Sequence, residues 1–367
     1  MRCKRSRLAV LSGGAVPGIV GWMGILLVPY PARGHIGPFL KVGAELVRHR
    51  AAVRMVVPPR YRDAVRAAGV VPVVAGSDAG AYVPPGWAPA DLAGRRRARV
   101  RRRRTAAEVR AACDREIAEE PPELAVVDPH ARWLRGLPFG GEPAWLWTTS
   151  PGSTAGRGPL LVNGLPEFHR GHGRWRGRIR FAGPLHGGLR LPAPGFPYER
   201  LTGHRVLVVS FGTVFARRGE ELRMIAESFR GSDWTVVLAT GPTPVASLGR
   251  LPGNVLALPS IPQQELLRRA DVLVTHGGMN SVLEAGAAGV PMLIAPRSRE
   301  QRRTAATLIA LGAGVRPVCR SSLRRQAESL VLDPRLAAGV DRLRSLIRAS
   351  PSAAEAAEQV LELAAAR

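Results

Sequence analysis

THGGMNSVLEAGAAGVPMLIAP, residues 275–296, decides the fold. An apolar run, DVLVTHGG (271–278), breaks at paired glycines into a helical pattern near 280–288, which yields to a second apolar run, PMLIAP (291–296). Short apolar runs separated by helical patterns are the pattern of a parallel α/β sheet. Paired glycines let the backbone approach a ligand closely, and the helix after them presents unpaired N–H groups and a positive dipole end to an anion. Glu284 lies four residues after Asn280, hence on the same helical face, where a carboxylate can accept hydrogen bonds from a ribose diol. A tight corner with a capping Asn and a surface Glu accounts for the same residues equally well.

Outward from this segment the alternation continues. Strand-like runs at 206–212, 234–240 and 255–259 are separated by helical patterns near 217–230, 263–269 and 301–311. Helices are expected at 323–332, 335–347 and 353–366, the last opened by a Ser352-x-x-Glu355 capping box. The first half repeats the pattern, with strands at 25–30, 53–58, 70–75, 124–128 and 143–147 and helices at 38–48 and 61–68. Residues 184–202 lose all periodicity and gather prolines and glycines, the composition of a linker. The expected fold class is α/β, with two Rossmann-like, doubly wound domains facing each other across a cleft. The expected divisions are a leader or upstream translation (1–22), a first domain (23–183), a linker (184–202), a second domain (203–350) and a C-terminal helix (351–367). Met23 reads as the natural start, because glycines and Pro17 break the apolar stretch before it.

The chain has 367 residues, 46% apolar and 22% charged, which excludes a fibre or a largely disordered protein. Cys3, Cys113 and Cys319 are odd in number and widely spaced, which excludes a disulfide scaffold and suits a reducing, cytoplasmic compartment. No run of apolar residues is long enough to span a membrane. The net charge of +25 first suggests nucleic acid, yet all but Lys4 and Lys41 of the 53 basic residues are arginine, a skew that coding bias alone produces. The block RRRARVRRRR (95–104) has no interleaved aromatics to stack on bases and reads as a solvated, mobile loop, so no nucleic-acid partner is expected.

Around the opening segment the order is Pro262-Gln263, then THGGMNS, Glu284 and Pro291, then Pro296 and Glu300-Gln301. With RGHIGPFL (33–40), FAGPL (181–185) and SFGT (210–213), this order resembles the GT-B fold, nucleotide-sugar-dependent glycosyltransferases, specifically the bacterial macrolide and natural-product branch of the UDP-glycosyltransferase family. The resemblance implies a UDP- or dTDP-sugar donor, and it places His276, Gly278, Asn280 and Ser281 at the donor diphosphate. It also places Glu284 at the ribose, Gln263 at the base edge, Glu300 and Gln301 at the sugar hydroxyls, and Thr213 facing the phosphates. Where the family usually carries a base-stacking Trp, this chain has Ser260. Nothing in the pattern calls for a cofactor, the nucleotide sugar being a substrate.

His35, in Gly34-His35-Ile36-Gly37-Pro38, matches the family's GHxxP and is the expected general base. Asp128 ends the strand LAVVD and would orient it, with His130 a substitute base. None of the nine aspartates forms a DxD pair, so no metal is expected. The helix start at 278–281 and His276 would then stabilise the leaving diphosphate. Trp145 and Trp147 share a strand face and, with Trp87, Trp133 and Trp175, could line an apolar acceptor pocket or simply pack a core. The stretch 129–159 is shorter than the resemblance implies, which leaves room for a partner protein or a second copy of the chain to complete the acceptor side. Two alternatives to an inverting, hexose-transferring enzyme stay open: a non-catalytic donor-binding auxiliary, or a related enzyme with a lipid-linked acceptor or epimerase activity.

Overall fold

The computed structural model describes residues 23–76, 92–148, 158–169, 179–186, 195–212, 219–317 and 322–367. The leader, Thr213, Trp87, Trp175, Cys3, Cys319 and residues 187–194 of the expected linker lie outside them.

The apolar runs form two all-parallel sheets. In the first, β1 (Gly24–Val28), β2 (Ala52–Val57), β3 (Val71–Val74), β4 (Leu124–Val127), β5 (Ala144–Trp147), β6 (Leu160–Val162) and β7 (Ile179–Phe181) lie in the order β3-β2-β1-β4-β5-β6-β7. In the second, β8 (Arg205–Ser210), β9 (Trp234–Ala239), β10 (Val255–Leu258), β11 (Val272–Thr275), β12 (Met292–Ile294) and β13 (Gly314–Val315) lie in the order β10-β9-β8-β11-β12-β13. β1 and β4 are buried along their whole length, as strands covered by helices on both faces must be. The order reverses between β1 and β4 in one sheet and between β8 and β11 in the other. Ligands of open α/β sheets bind at the carboxyl ends of the strands at such reversals.

Helix α1 (Arg33–Arg48) begins five residues earlier than the periodicity predicts and takes Pro38 inside it. α2 (Arg62–Ala67) follows β2. The arginine block is not a loop: α3 (Leu92–Glu119) runs through it. Arginine and alanine are strong helix formers. The second half of α3 is anchored by buried Val109, Ala112, Cys113 and Ile117 at helical spacing, and Arg54 of β2 grips Glu116 at 2.9 Å. Burial pushes the Cys113 thiol up to about 12, so it stays protonated and unreactive.

In the second domain, α4 (Gly219–Glu227), α5 (Gln263–Leu267), α6 (Met279–Ala288), α7 (Arg299–Ala310), α8 (Leu323–Leu332) and α9 (Pro334–Arg348) alternate with or cover the strands. The capping box foreseen at Ser352 and Glu355 is formed and starts α10 (Ala353–Ala365). α10 returns to the first domain. Its Ala356, Ala357, Val360 and Ala364 pack with Ile36, Phe39 and Leu40 of α1 in one core. The chain therefore crosses between the sheets twice, and Gly183 runs so close to Pro351 that a Cβ there would fall 1.5 Å from its carbonyl oxygen.

Candidate active site

The cleft between the sheets holds a cavity of about 580 Å³, within the range usual for small-ligand sites. It opens at the carboxyl ends of β1, β8 and β11, the strands at the two reversals. His35, Gln263, His276, Gly278, Asn280, Ser281 and Glu284 all line it. Glu300 and Gln301 do not. The Gln301 side chain instead closes a capping box with Ser298, its Oε1 accepting the backbone N–H groups of Arg297 and Ser298 at 2.8 and 3.1 Å. Trp145 and Trp147 are buried in the core of the first domain, so the shared strand face serves packing.

On the first-domain side, α1 carries His35 in its first turn, and Asp128 follows β4 directly. His35 Nδ1 donates to Asp128 Oδ2 at 2.7 Å, and Thr148 Oγ1 lies 2.6 Å from the same nitrogen. When the ring is neutral, a proton on Nδ1 facing the carboxylate leaves the lone pair on Nε2. Asp128 is fully buried. Its other oxygen, Oδ1, accepts the backbone N–H of His130 at 2.8 Å and stands 3.0 Å from His130 Nδ1. Burial alone would raise this carboxyl, but the charge of His35 and the hydrogen bonds from both histidines outweigh it and hold the group well below the usual carboxylate range. Its stabilising effect on the fold is therefore complete above that range and is lost only as the pH falls through the lowered folded value. His35, Asp128 and His130 form a metal-capable trio, with one ligand atom of each within 4.8 Å of the others. The Nδ1 atoms of both histidines are already engaged with the Asp128 oxygens.

On the second-domain side, β11 runs through His276-Gly277-Gly278 into α6, whose N-cap is Gly278. The close approach suits glycine: a Cβ at 278 would stand 2.6 Å from His276 Nε2, so the imidazole would have to shift. Gly212, at φ +78°, also makes room for the same imidazole, since a Cβ there would stand 3.0 Å from its Cε1. Glu284 accepts from Gln263 Nε2 at 2.7 Å and from Gln264 Nε2 at 3.0 Å. Burial pushes its carboxyl up, while those two amides and the nearby Arg33 charge pull the other way. Gln263 Nε2 also donates to Ser281 Oγ at 3.1 Å.

Among the described residues, three hydrogen bonds cross the cleft. Pro38 has no N–H, so within α1 the Gly34 carbonyl lacks its ordinary helical donor. Asn280 Nδ2 of α6 fills that vacancy at 2.5 Å. Asn280 Oδ1 in turn accepts from Asn163 Nδ2 at 3.0 Å, and Asn163 Oδ1 accepts the Leu185 N–H at 2.7 Å. Arg33 Nη1 donates to Ser260 Oγ at 3.1 Å. Thr148, Asn163, Gln264 and Arg33 were not foreseen from sequence. Asn163 follows a strand of only three residues, and the other three gain meaning only from partners that the fold brings near.

Residues 195–331 match the family model described as UDP-glucoronosyl and UDP-glucosyl transferase. The second domain belongs to the UDP-glycosyltransferase family. An NDP-glycosyltransferase of Bacillus subtilis (strain 168) is 34% identical over 160 residues, 42% of this chain and 41% of the relative. The chain thus spans less than half the length of that curated relative. The match to the oleandomycin glycosyltransferase of Streptomyces antibioticus is longer, 28% identical over 88% of this chain and 86% of the relative. Among solved structures, the calicheamicin glycosyltransferase CalG4 superposes with a TM-score of 0.71 at 25% identity, covering 94% of this chain and 98% of CalG4. The described residues therefore have the GT-B fold, and the segment that matches the UDP-glycosyltransferase model, residues 195–331, lies in the second half of the chain. Among the described residues, no helix is long and apolar enough to cross a membrane.

Proposed function

We propose that the chain is a glycosyltransferase that moves a hexose from a UDP- or dTDP-sugar to a hydroxyl of a small natural-product acceptor, with inversion at the anomeric carbon. The observation that carries this reading is the placement of the His35–Asp128 pair opposite the Gly278–Ser281 helix start across one cavity. His35 Nε2 takes the proton of the acceptor hydroxyl as that oxygen bonds to the anomeric carbon. The bond from that carbon to the diphosphate breaks, and its electron pair leaves with the phosphate oxygen. Asp128 stabilises the imidazolium that forms. The N-terminus of α6 and His276 face the charge that develops on the leaving diphosphate. Glu284, already hydrogen-bonded to Gln263 and Gln264, is placed to exchange those partners for ribose hydroxyls. In this reading, charge on the leaving group is balanced by the protein without a metal or other cofactor.

Similarity to macrolide and antibiotic glycosyltransferases supports an acceptor of that class. In this reading the short stretch 129–159 leaves the acceptor side to be completed by a partner protein or a second copy. The test is turnover of UDP- and dTDP-sugars with a panel of hydroxylated aglycones, read as nucleoside diphosphate released. Release that depends on the aglycone is expected. Tight donor binding with no release for any aglycone, alone or with a co-encoded partner, would instead favour the non-catalytic binder.

A further inference from the structure

Arg33 begins α1, two residues before His35, and it is the one arginine of the first domain among the described residues lining the cleft cavity. Its guanidinium reaches across to the second domain, where Nη1 donates to Ser260 Oγ at 3.1 Å, and its charge acts on the buried Glu284 carboxyl. A neutral hydroxyl is a modest partner for a guanidinium. Phosphate oxygens, which the planar fork can engage two at a time, are much better ones. The next residue, Gly34, is tied through its carbonyl to Asn280 in the first turn of α6, which fixes the Arg33 backbone beside the α6 N-terminus. Three consecutive residues thus face three different partners: Arg33 the nucleotide side of the cavity, Gly34 the donor-side helix, and His35 the Asp128 carboxylate.

We propose that Arg33 binds the donor diphosphate from the first domain, so that one short segment both senses the bound nucleotide and presents the base. This rests on the reading of the cavity as a nucleotide-sugar site. On donor binding the guanidinium leaves Ser260 for phosphate oxygens. The negative charge is then held from both sides of the cleft, by Arg33 on one and by the α6 N-terminus on the other.

The test is isothermal calorimetry on the full chain, wild type against Arg33→Gln and Arg33→Lys, with UDP, dTDP and the nucleosides uridine and thymidine at low and high salt. Arg33→Gln is expected to weaken UDP or dTDP binding about tenfold, as loss of one charge-assisted contact does, and to flatten its salt dependence. Nucleoside binding should be unchanged, and Arg33→Lys should recover part of the loss. Equal diphosphate affinity in wild type and Arg33→Gln overturns the proposal. Equal losses for UDP and uridine also overturn it, because they mark Arg33 as a structural tie rather than a phosphate ligand. A wild-type chain that binds neither UDP nor dTDP overturns the donor-site reading itself, and this proposal with it.

Discussion

His35→Ala slows sugar transfer by about 10²–10⁴-fold, the usual contribution of a positioned general base, while leaving nucleoside diphosphate affinity nearly unchanged. The separation follows from where the residue stands. His35 belongs to the first domain, with its Nδ1 held by Asp128, whereas the proposed diphosphate seat lies at β11 and α6 of the second. Without the imidazole, the acceptor hydroxyl must lose its proton to water, and the attack loses most of its driving force. Asp128→Asn should fall equally or less far: the base remains, but the carboxylate that stabilises its charged form is gone. Steady-state rates paired with calorimetry of UDP and dTDP check this. Near-wild-type turnover in His35→Ala would remove the base from the mechanism.

Gly278→Val is expected to abolish donor binding, a loss of about 100-fold or more, with the fold retained. Any Cβ at 278 would stand 2.6 Å from His276 Nε2 and 2.8 Å from its Cε1, closer than side-chain carbons approach, so the ring or the start of α6 must move. A β-branched residue adds bulk where the backbone must admit a diphosphate. His276→Ala, which removes the ring but not the helix start, should weaken binding less, by about tenfold, the scale of one hydrogen bond to a charged group. Calorimetry with UDP and dTDP decides both. Wild-type affinity in Gly278→Val would place the diphosphate elsewhere.

Much of this site was legible before the fold was known, because its chemistry is local in the chain. The run from β11 through two glycines into α6 is contiguous, Asp128 directly follows β4, and His35 stands in the first turn of the helix after β1, so the pairing of β1 with β4 brings the two to one edge. Other features escaped for physical reasons. β6 and β7 have three residues each and β13 has two, too few to show a period. The arginine block looked like a solvated loop, but its helix is anchored by Val109, Ala112, Cys113 and Ile117 further along, outside the charged run. Glu300 and Gln301 were assigned to a sugar by resemblance, while the Gln301 side chain is occupied in capping α7. The cross-cleft bonds of Arg33, Gly34 and Asn163 join residues more than 100 positions apart, which no local pattern encodes.

The most direct test of the account is the anomeric configuration of the first product formed by the wild-type chain. With an α-linked UDP- or dTDP-hexose and an accepted aglycone, proton NMR of the fresh product should show a β-glycoside, because the hydroxyl activated by His35 attacks from the face opposite the α6-bound diphosphate. An α-glycoside would contradict single displacement by a His35-activated acceptor, and with it the roles given to both sides of the cleft.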